Sequence, residues 1–422
     1  MLDIKFIREN IDLVKQGCKN KNMQCDIDRL LEIDQERRDI MTELEEARAK
    51  QNKANQVIAK ADFKDKAEAI AEMKAVSGHI KELENKYRKI NEEYENILLA
   101  IPQPALSDVP VGKDESGNVE LKIVGDIPKF DFEPKDHTTL AKDLNILDIE
   151  RAVKIAGSRN YILKNEGVLL MEACMKLAVD MLRKKGYDYL SIPHIVREHA
   201  MIGTGYFPFG KEDAYELKDD ETHLIGTAEV VLTSYHGDEM LKETDLPIKL
   251  CGKSDCYRRE AGTYGKDTAG IYRVHQFKKV EQVVLCKNDP KESEKFHNEL
   301  LGNAEEFLQA LKLPYRVLEM CTGDMGAGQV KKHDIETWMP SRNDYGETHS
   351  CSSFYEFQSR RLKIRYKDKD GKKHFVHTLN NTMVASPRIL IPIIENYQNK
   401  DGSITVPEVL VPYLQLKILK AS

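Results

Sequence analysis

No two cysteines in this chain fall in a C-x-x-C spacing. Eight cysteines are present, but Cys251 and Cys256 have no second pair with which to complete a zinc site, so reduced thiols and no structural zinc are expected. The opening MLDIKFIREN has no apolar h-region, and nowhere is there an apolar run of about 18 residues. Neither secretion nor membrane spanning is predicted, and a cytoplasmic protein is. Excess charge of one sign is missing as well. The net charge is −6 with 32% charged residues, so any nucleic acid must be met by a local patch. Two common nucleotide signatures fail. Gly252-Lys253-Ser254 ends like a P-loop, but Pro247 stands where the first glycine belongs. Gly323, Gly326 and Gly328 carry the dinucleotide spacing in reverse, with no clear helix start.

Proline is absent from Asp26–Ala100 and glycine occurs there only at Gly78, in a background of Glu, Lys, Arg, Ala and Leu. That composition predicts long helix, preceded by a short one over Leu2–Gln16. Ile33, Ile40, Leu44, Ala47, Ala54 and Ile58 form one apolar seam, and Met73, Val76, Ile80, Leu83, Tyr87, Ile90, Tyr94 and Ile97 form a second at 3-4 spacing. The polar stretch KADFKDK between them predicts an antiparallel two-helix coiled coil over about residues 27–100, in preference to a dimerising one. IPQPALSDVPVG, with Pro102, Pro104 and Pro110, ends the helix and marks a linker at about 101–112. The predicted domains are therefore 1–102, a helical arm, and 103–422. The second mixes a helix over Glu166–Lys185 with clustered strands such as YLSIPHIV, PIKLCGKSDCYRRE and YRVLEM. The fold class expected is α+β, with an antiparallel β-sheet flanked by helices.

The segment CYRREAGTYGKDTAGIYRVHQFKKVEQ, Cys256–Gln282, has two strand-like ends and three glycines, Gly262, Gly265 and Gly270, in a long connection. Period-two alternation puts Arg258 with Glu260, and Arg273, His275, Phe277, Lys279 and Glu281, on one largely ionic face, with Tyr272, Val274, Gln276 and Val280 on the other. The connection is long enough to close over a ligand.

These residues carry a resemblance. CYRREAG…YRVHQFKKVE resembles motif 2 of the bacterial-type seryl-tRNA synthetases, class II aminoacyl-tRNA synthetases. GYDYLSIPHIV with Pro193 resembles motif 1, and NNTMVASPRILIPIIENYQ motif 3. GTAEV, ETHSCSSFYEFQSRR and the helical arm follow in the family's order, so the resemblance spans essentially the full length. It implies a serine–tRNA ligase that forms seryl-adenylate from serine and ATP and passes the seryl group to tRNA(Ser), with tRNA(Sec) a further candidate. Mg²⁺ and a homodimer built through motif 1 are also implied.

Residue by residue, the resemblance makes Arg258 the bridge between carboxylate and α-phosphate, a task suited to a planar fork of donors. It makes Glu260 the acceptor for the adenine amino group, Phe277 the ring stacked on adenine, Arg273 an outer-phosphate contact and Arg388 the arginine on the nucleotide's other side. Arg258, Glu260 and Arg388 are the expected catalytic set. Arg259, Thr348 and His349 are expected near ATP, and Glu347 and Ser350 beside Mg²⁺ and the α-phosphate. The serine pocket is expected from Thr227, Ala228, Glu229, Arg258, Glu281, Asn380 and Thr382, with the two glutamates' shares of ammonium and hydroxyl left open. Candidate tRNA contacts on the arm are Arg48, Lys50, Lys53 and Lys60, which taken singly fit a solvated helix face equally well. One departure stands out: Ser386-Pro387 replaces the Val-Gly of many bacterial members just before Arg388, which constrains the backbone there. Two other readings are a paralogue loading an amino acid on a carrier protein, which would be expected to lack the arm, and an inactive RNA-binding coiled-coil protein, which would not need the ionic motif residues.

Overall fold

The computed structural model describes residues 1–58, 66–261 and 270–421. The chain divides into two compact units, one formed by Leu2–Lys19 and Met23–Pro102, the other by Gln103–Ser422 together with Met1 and Asn20–Asn22.

In the first unit the predicted Leu2–Gln16 helix is two helices, α1 (Ile4–Glu9) and α2 (Ile11–Asn20). Asn10 leaves helical geometry at φ −135° and interrupts them. The long helices are α3 (Ile27–Ile58) and α4 (Lys66–Ala100), each about 50 Å at roughly 1.5 Å per residue. They run antiparallel: Arg29 pairs with Glu93 at 3.0 Å, Arg48 with Glu84 at 2.7 Å, and Gln51 donates to Ser77 at 2.9 Å. The seam buries Ile40, Leu44, Ala47, Ile80 and Leu83, with Val76, Tyr87 and Ile90 packed against them. KADFKDK lies outside the described residues except for Lys66. Below the seam, Asp34 is 1% exposed and faces Arg38, Arg8 and Arg37 at 3.4–3.6 Å, while the Arg37 guanidinium lies 4.1 Å over the Tyr94 ring.

The second unit is built on an eight-stranded sheet. Its spatial order is Val119–Val124, Tyr315–Glu319, Lys331–Met339, Asp344–Tyr355, His377–Ser386, Gln276–Cys286, Ile248–Tyr257 and Asp188–Leu190. All neighbours are antiparallel except the last pair, where Asp188–Leu190 runs parallel to Ile248–Tyr257. Motif 1 is therefore split. Only Asp188–Leu190 joins this sheet, and beyond Pro193 the chain pairs Ile195–Arg197 with Thr222–Leu224 in a small separate one.

Alternation along the strands divides the sheet's faces. Val280, Val284, Cys286, Leu379 and Met383 join the main core with helices Asn165–Lys184 and Pro290–Ala310. The second of these is started by Asp289 as N-cap with Pro290 behind it. It presents Phe296, Leu300, Ala304 and Phe307 at 3-4 spacing. Polar groups on that face are tied in: Gln282 and Asn381 both donate to the Leu300 carbonyl. Lys279, Glu281, Asn380 and Thr382 point to the opposite face, where the cavity lies.

Candidate active site

The motif 2 strands pair with Phe277 opposite Cys256 and Glu281 opposite Gly252. The regular strands end at Tyr257 and begin again at Gln276, so the period-two reading does not extend to residues 258–260 or 270–275. In consequence Tyr272 and Val274, expected on the far face, line the same cavity as Arg258, Glu260, Phe277, Lys279 and Glu281. Glu260 enters it from a left-handed backbone, φ +53°. Gly270 takes φ +78° beside His137, and its Cβ would come 2.7 Å from His137 Nε2, which suits glycine alone. Gly262 and Gly265 lie outside the described residues.

The cavity has a volume of about 310 Å³. Motif 3 supplies Asn380, Thr382 and Arg388, and the ETHS strand supplies Glu347, Thr348 and Ser350. The Ser386–Pro387 peptide is cis, and Arg388 still reaches the cavity wall. Its Nη1 lies 3.6 Å from Glu347 Oε2, and its Nε donates to the Tyr272 carbonyl at 3.2 Å. Arg258 Nε donates to the Gly226 carbonyl at 3.2 Å, and its guanidinium carbon lies 5.3 Å from the Phe277 ring centroid.

Two glutamates, Glu229 and Glu281, share the same cavity. Glu281 Oε2 is 2.5 Å from Lys279 Nζ and accepts from Thr227 Oγ1 at 3.3 Å. Glu229 opens the short helix Glu229–Ser234, its N–H donating to Thr227 Oγ1 at 3.2 Å. Its carboxylate accepts from Gln358 Nε2 at 2.8 Å and from Tyr206 Oη at 3.2 Å. Burial, reinforced by the negative Glu281, pushes the Glu229 carboxyl up to about 7, against the pull of Gln358, Lys279 and Tyr206. Glu347 goes the other way. Desolvation opposes its ionisation, but Arg388, Lys332, Arg258 and Arg273 outweigh it and hold the carboxyl below its usual value. Beside it, burial raises the Asp334 carboxyl to about 6 despite Lys332 Nζ at 2.9 Å.

Five expected site residues stand off the cavity wall. Thr227 is buried behind it against Glu281. Ala228, fully buried, belongs to the apolar cluster with Leu232 and Val283. Arg273 lies beside Glu260, Nη1 to Oε2 3.5 Å. Arg259 turns outward over the Tyr215 ring at 5.1 Å. His349 is 1% exposed, bonded to the Met383 carbonyl and Thr348, and edge-on to the core ring of Phe307. On the arm, Lys50 and Lys53 are exposed, Arg48 is already paired with Glu84, and Lys60 lies outside the described residues.

Sequence reasoning missed Tyr206, Gln358, Lys332 and Asp334. Lys332 and Asp334 alternate on one strand, a signal that was available. Lys279 was placed on the ionic face but given no role. Tyr206 leaves no mark in the sequence, because it meets Glu229 only through the fold.

The class II core model for the Gly, His, Pro, Ser and Thr tRNA synthetases matches residues 213–397, and the seryl-tRNA synthetase N-terminal domain model matches residues 1–104. A serine–tRNA ligase of Deinococcus radiodurans is 44% identical over 98% of this chain and 97% of its own length. That of Symbiobacterium thermophilum is 45% identical over 98% of each. Seryl-tRNA synthetase of Pyrococcus horikoshii, solved with ATP, superposes with a TM-score of 0.90 at 37% identity, covering both chains fully. The cytoplasmic enzyme of Naegleria fowleri, solved with AMP, gives 0.86 at 32%, covering 100% of this chain and 99% of its own. With a matching family model at each end and full-length relatives above 40% identity, the chain belongs to the serine–tRNA ligases of the class II aminoacyl-tRNA synthetases.

Proposed function

We propose that this cavity joins serine to AMP and then hands the seryl group to tRNA(Ser), residues 103–422 doing the chemistry and residues 1–102 selecting the tRNA. The observation carrying this reading is that Arg258, Arg388 and Glu347 line one cavity together with Glu229 and Glu281. A serine carboxylate oxygen attacks the α-phosphorus of ATP, the bond to the bridging oxygen breaks, and diphosphate leaves. A terminal ribose hydroxyl of tRNA then attacks the seryl carbonyl and AMP leaves. Arg258 bridges carboxylate and α-phosphate, where charge concentrates in the transition state. Phe277 stacks on adenine, Glu260 accepts its amino group, Arg388 lies on the nucleotide's other side, and Arg273 reaches the outer phosphate.

The glutamates divide the amino acid. Glu281 already faces a lysine ammonium, whereas Glu229 is bonded by the neutral donors Tyr206 and Gln358. Glu229 therefore takes the serine ammonium, and Glu281 with Thr382 takes the hydroxyl. Asn380 Nδ2, buried and without a hydrogen-bond partner among the described residues, is placed to donate to the substrate. Glu347 and Ser350 offer hard oxygen donors on the phosphate side, a set that fits Mg²⁺ with phosphates completing its shell. When bound, the ion neutralises phosphate charge.

Amino-acid-dependent ATP/diphosphate exchange across all twenty amino acids tests the reading. Serine alone should support strong exchange, since alanine leaves the hydroxyl's partners unpaired; equal exchange with alanine or threonine would overturn it. A homodimer is proposed through the motif 1 region, where Tyr189 and Ile195 are 46% and 52% exposed and a two-fold copy would cover them. Sedimentation at micromolar concentration should show the dimer, and a monomer there would remove it. tRNA(Sec) is included as a further acceptor because an arm that reads RNA shape need not distinguish the two. A cytoplasmic location is supported by eight cysteines none of which is in a disulfide among the described residues. Among the described residues no helix is long and apolar enough to cross a membrane.

A further inference from the structure

Arg388 is held by a ring as well as by a carboxylate. Its guanidinium carbon sits 4.3 Å from the centroid of Tyr272, and that of Arg342 sits 4.0 Å from the same centroid. One face of a phenol has room for only one planar guanidinium at such distances, so the two arginines take opposite faces. The π-face attracts each cation and separates two like charges that would otherwise repel.

The stack is fixed from behind. Tyr272 is 7% exposed and its hydroxyl donates to the Glu347 carbonyl at 3.3 Å. Its edge rests on Gly346, where a Cβ would come 3.2 Å from Cε2. Arg342 closes the short turn Pro340–Arg342. That turn is anchored through Ser341, whose N–H and Oγ donate to the two Glu395 oxygens at 2.9 and 2.8 Å. Glu395 is fully buried and also accepts from the His137 N–H at 3.0 Å. At the front, Arg388 Nη1 donates to the Glu347 carbonyl at 3.1 Å. The proposed serine partners belong to a different network, Glu229 with Tyr206 and Gln358, and Glu281 with Lys279.

We propose that Tyr272 and Arg342 are positioning residues for Arg388: the ring, backed by Arg342, sets the plane in which the motif 3 guanidinium meets the nucleotide. Their effect falls on ATP and leaves serine recognition alone. This rests on reading the cavity as the adenylation site.

Diphosphate-exchange kinetics of the full chain test it in Tyr272→Phe, Tyr272→Leu, Arg342→Gln, Arg342→Lys and the Tyr272→Leu/Arg342→Gln double variant, each checked for folding by thermal unfolding. Tyr272→Leu should raise KM for ATP about tenfold, and Arg342→Gln about threefold, from the usual size of a cation–π contact. KM for serine should stay within about twofold. Tyr272→Phe, which keeps the ring, and Arg342→Lys, which keeps the charge, should both recover most of the ATP affinity. In the double variant Arg342→Gln should add nothing, because its route to Arg388 is gone. An equal cost of Arg342→Gln in both backgrounds, or a serine KM rising in step with that for ATP, overturns the proposal. Should Tyr272→Leu fail to fold, the exposed Arg342 decides alone: an ATP-specific loss restored by lysine upholds the proposal, and no loss overturns it. Absence of serine-dependent exchange in the unaltered protein would instead overturn the adenylation reading.

Discussion

At the scale of single residues, Glu229 shows what sequence could and could not tell. GTAEV marks it as a pocket residue, but its chemistry depends on Glu281, Tyr206 and Gln358, which lie 52, 23 and 129 positions away in the chain and are brought to it only by folding. The same holds for His349, whose motif position suggested ATP while strand alternation turned it into the core. The raised pKa of Glu229 has a direct consequence. With its carboxyl at about 7, lowering the pH through 7 protonates it in the empty pocket, and a neutral acid cannot pair with the serine ammonium. KM for serine should therefore climb as pH falls below about 7, approaching tenfold per pH unit on the acid side. Glu229→Gln should raise KM for serine some tens-fold at pH 8, the usual loss for a charge-assisted hydrogen bond, and flatten the profile between pH 6 and 8. A profile in the variant as steep as in the parent would assign the titration to another group, with Asp334, raised to about 6, the next to test.

At the scale of elements, period was a better guide than boundary. The 3-4 rhythm of α3 and α4 located the seam because a two-helix interface has no other apolar face to confuse it, and Ile40, Leu44, Ile80 and Leu83 are all buried there. Motif 1 was harder, since YLSIPHIV looks like one strand until Pro193 breaks it between two sheets. Residues 270–275 failed for a related reason: alternation holds only while the backbone stays in a ladder, and this ladder starts at Gln276. The seam yields a stability test. Leu83→Ala removes a side chain that is 6% exposed and should cost about 2 kcal/mol, the low end for a buried leucine, because a thin two-helix interface can collapse around the gap. Circular dichroism during heating should show the N-terminal unit melting earlier, while serine-dependent exchange at 25 °C is unchanged. Loss of exchange in parallel with helicity would mean that the two units do not unfold independently.

At the scale of the whole molecule, the chain spends 35 residues on α4 and 32 on α3 for a seam that buries little surface per residue. The proposed selection of tRNA by residues 1–102 would give that length a use. An A-form helix is recognised through its backbone and shape, and exposed cations such as Lys50 and Lys53 would contribute a salt-dependent affinity. The base of the arm is a separate structure, because Asp34, Arg8, Arg37, Arg38 and Tyr94 lock the helices together there. A clean excision should spare it. Replacing residues 45–78 with a short flexible linker removes the outer arm from just beyond Leu44 to the facing position on α4, given that His79 faces Glu43 and Gln51 meets Ser77. The excised protein should retain serine-dependent diphosphate exchange near the parental rate, since Arg258, Glu229, Glu281, Glu347 and Arg388 all belong to the other unit. Charging of tRNA(Ser) should fall by orders of magnitude, chiefly through KM for tRNA, and the parent's own KM should rise steeply with salt. Near-normal charging after excision would mean that tRNA is selected elsewhere, and equal loss of exchange and charging would mean that the outer arm is needed for the catalytic fold.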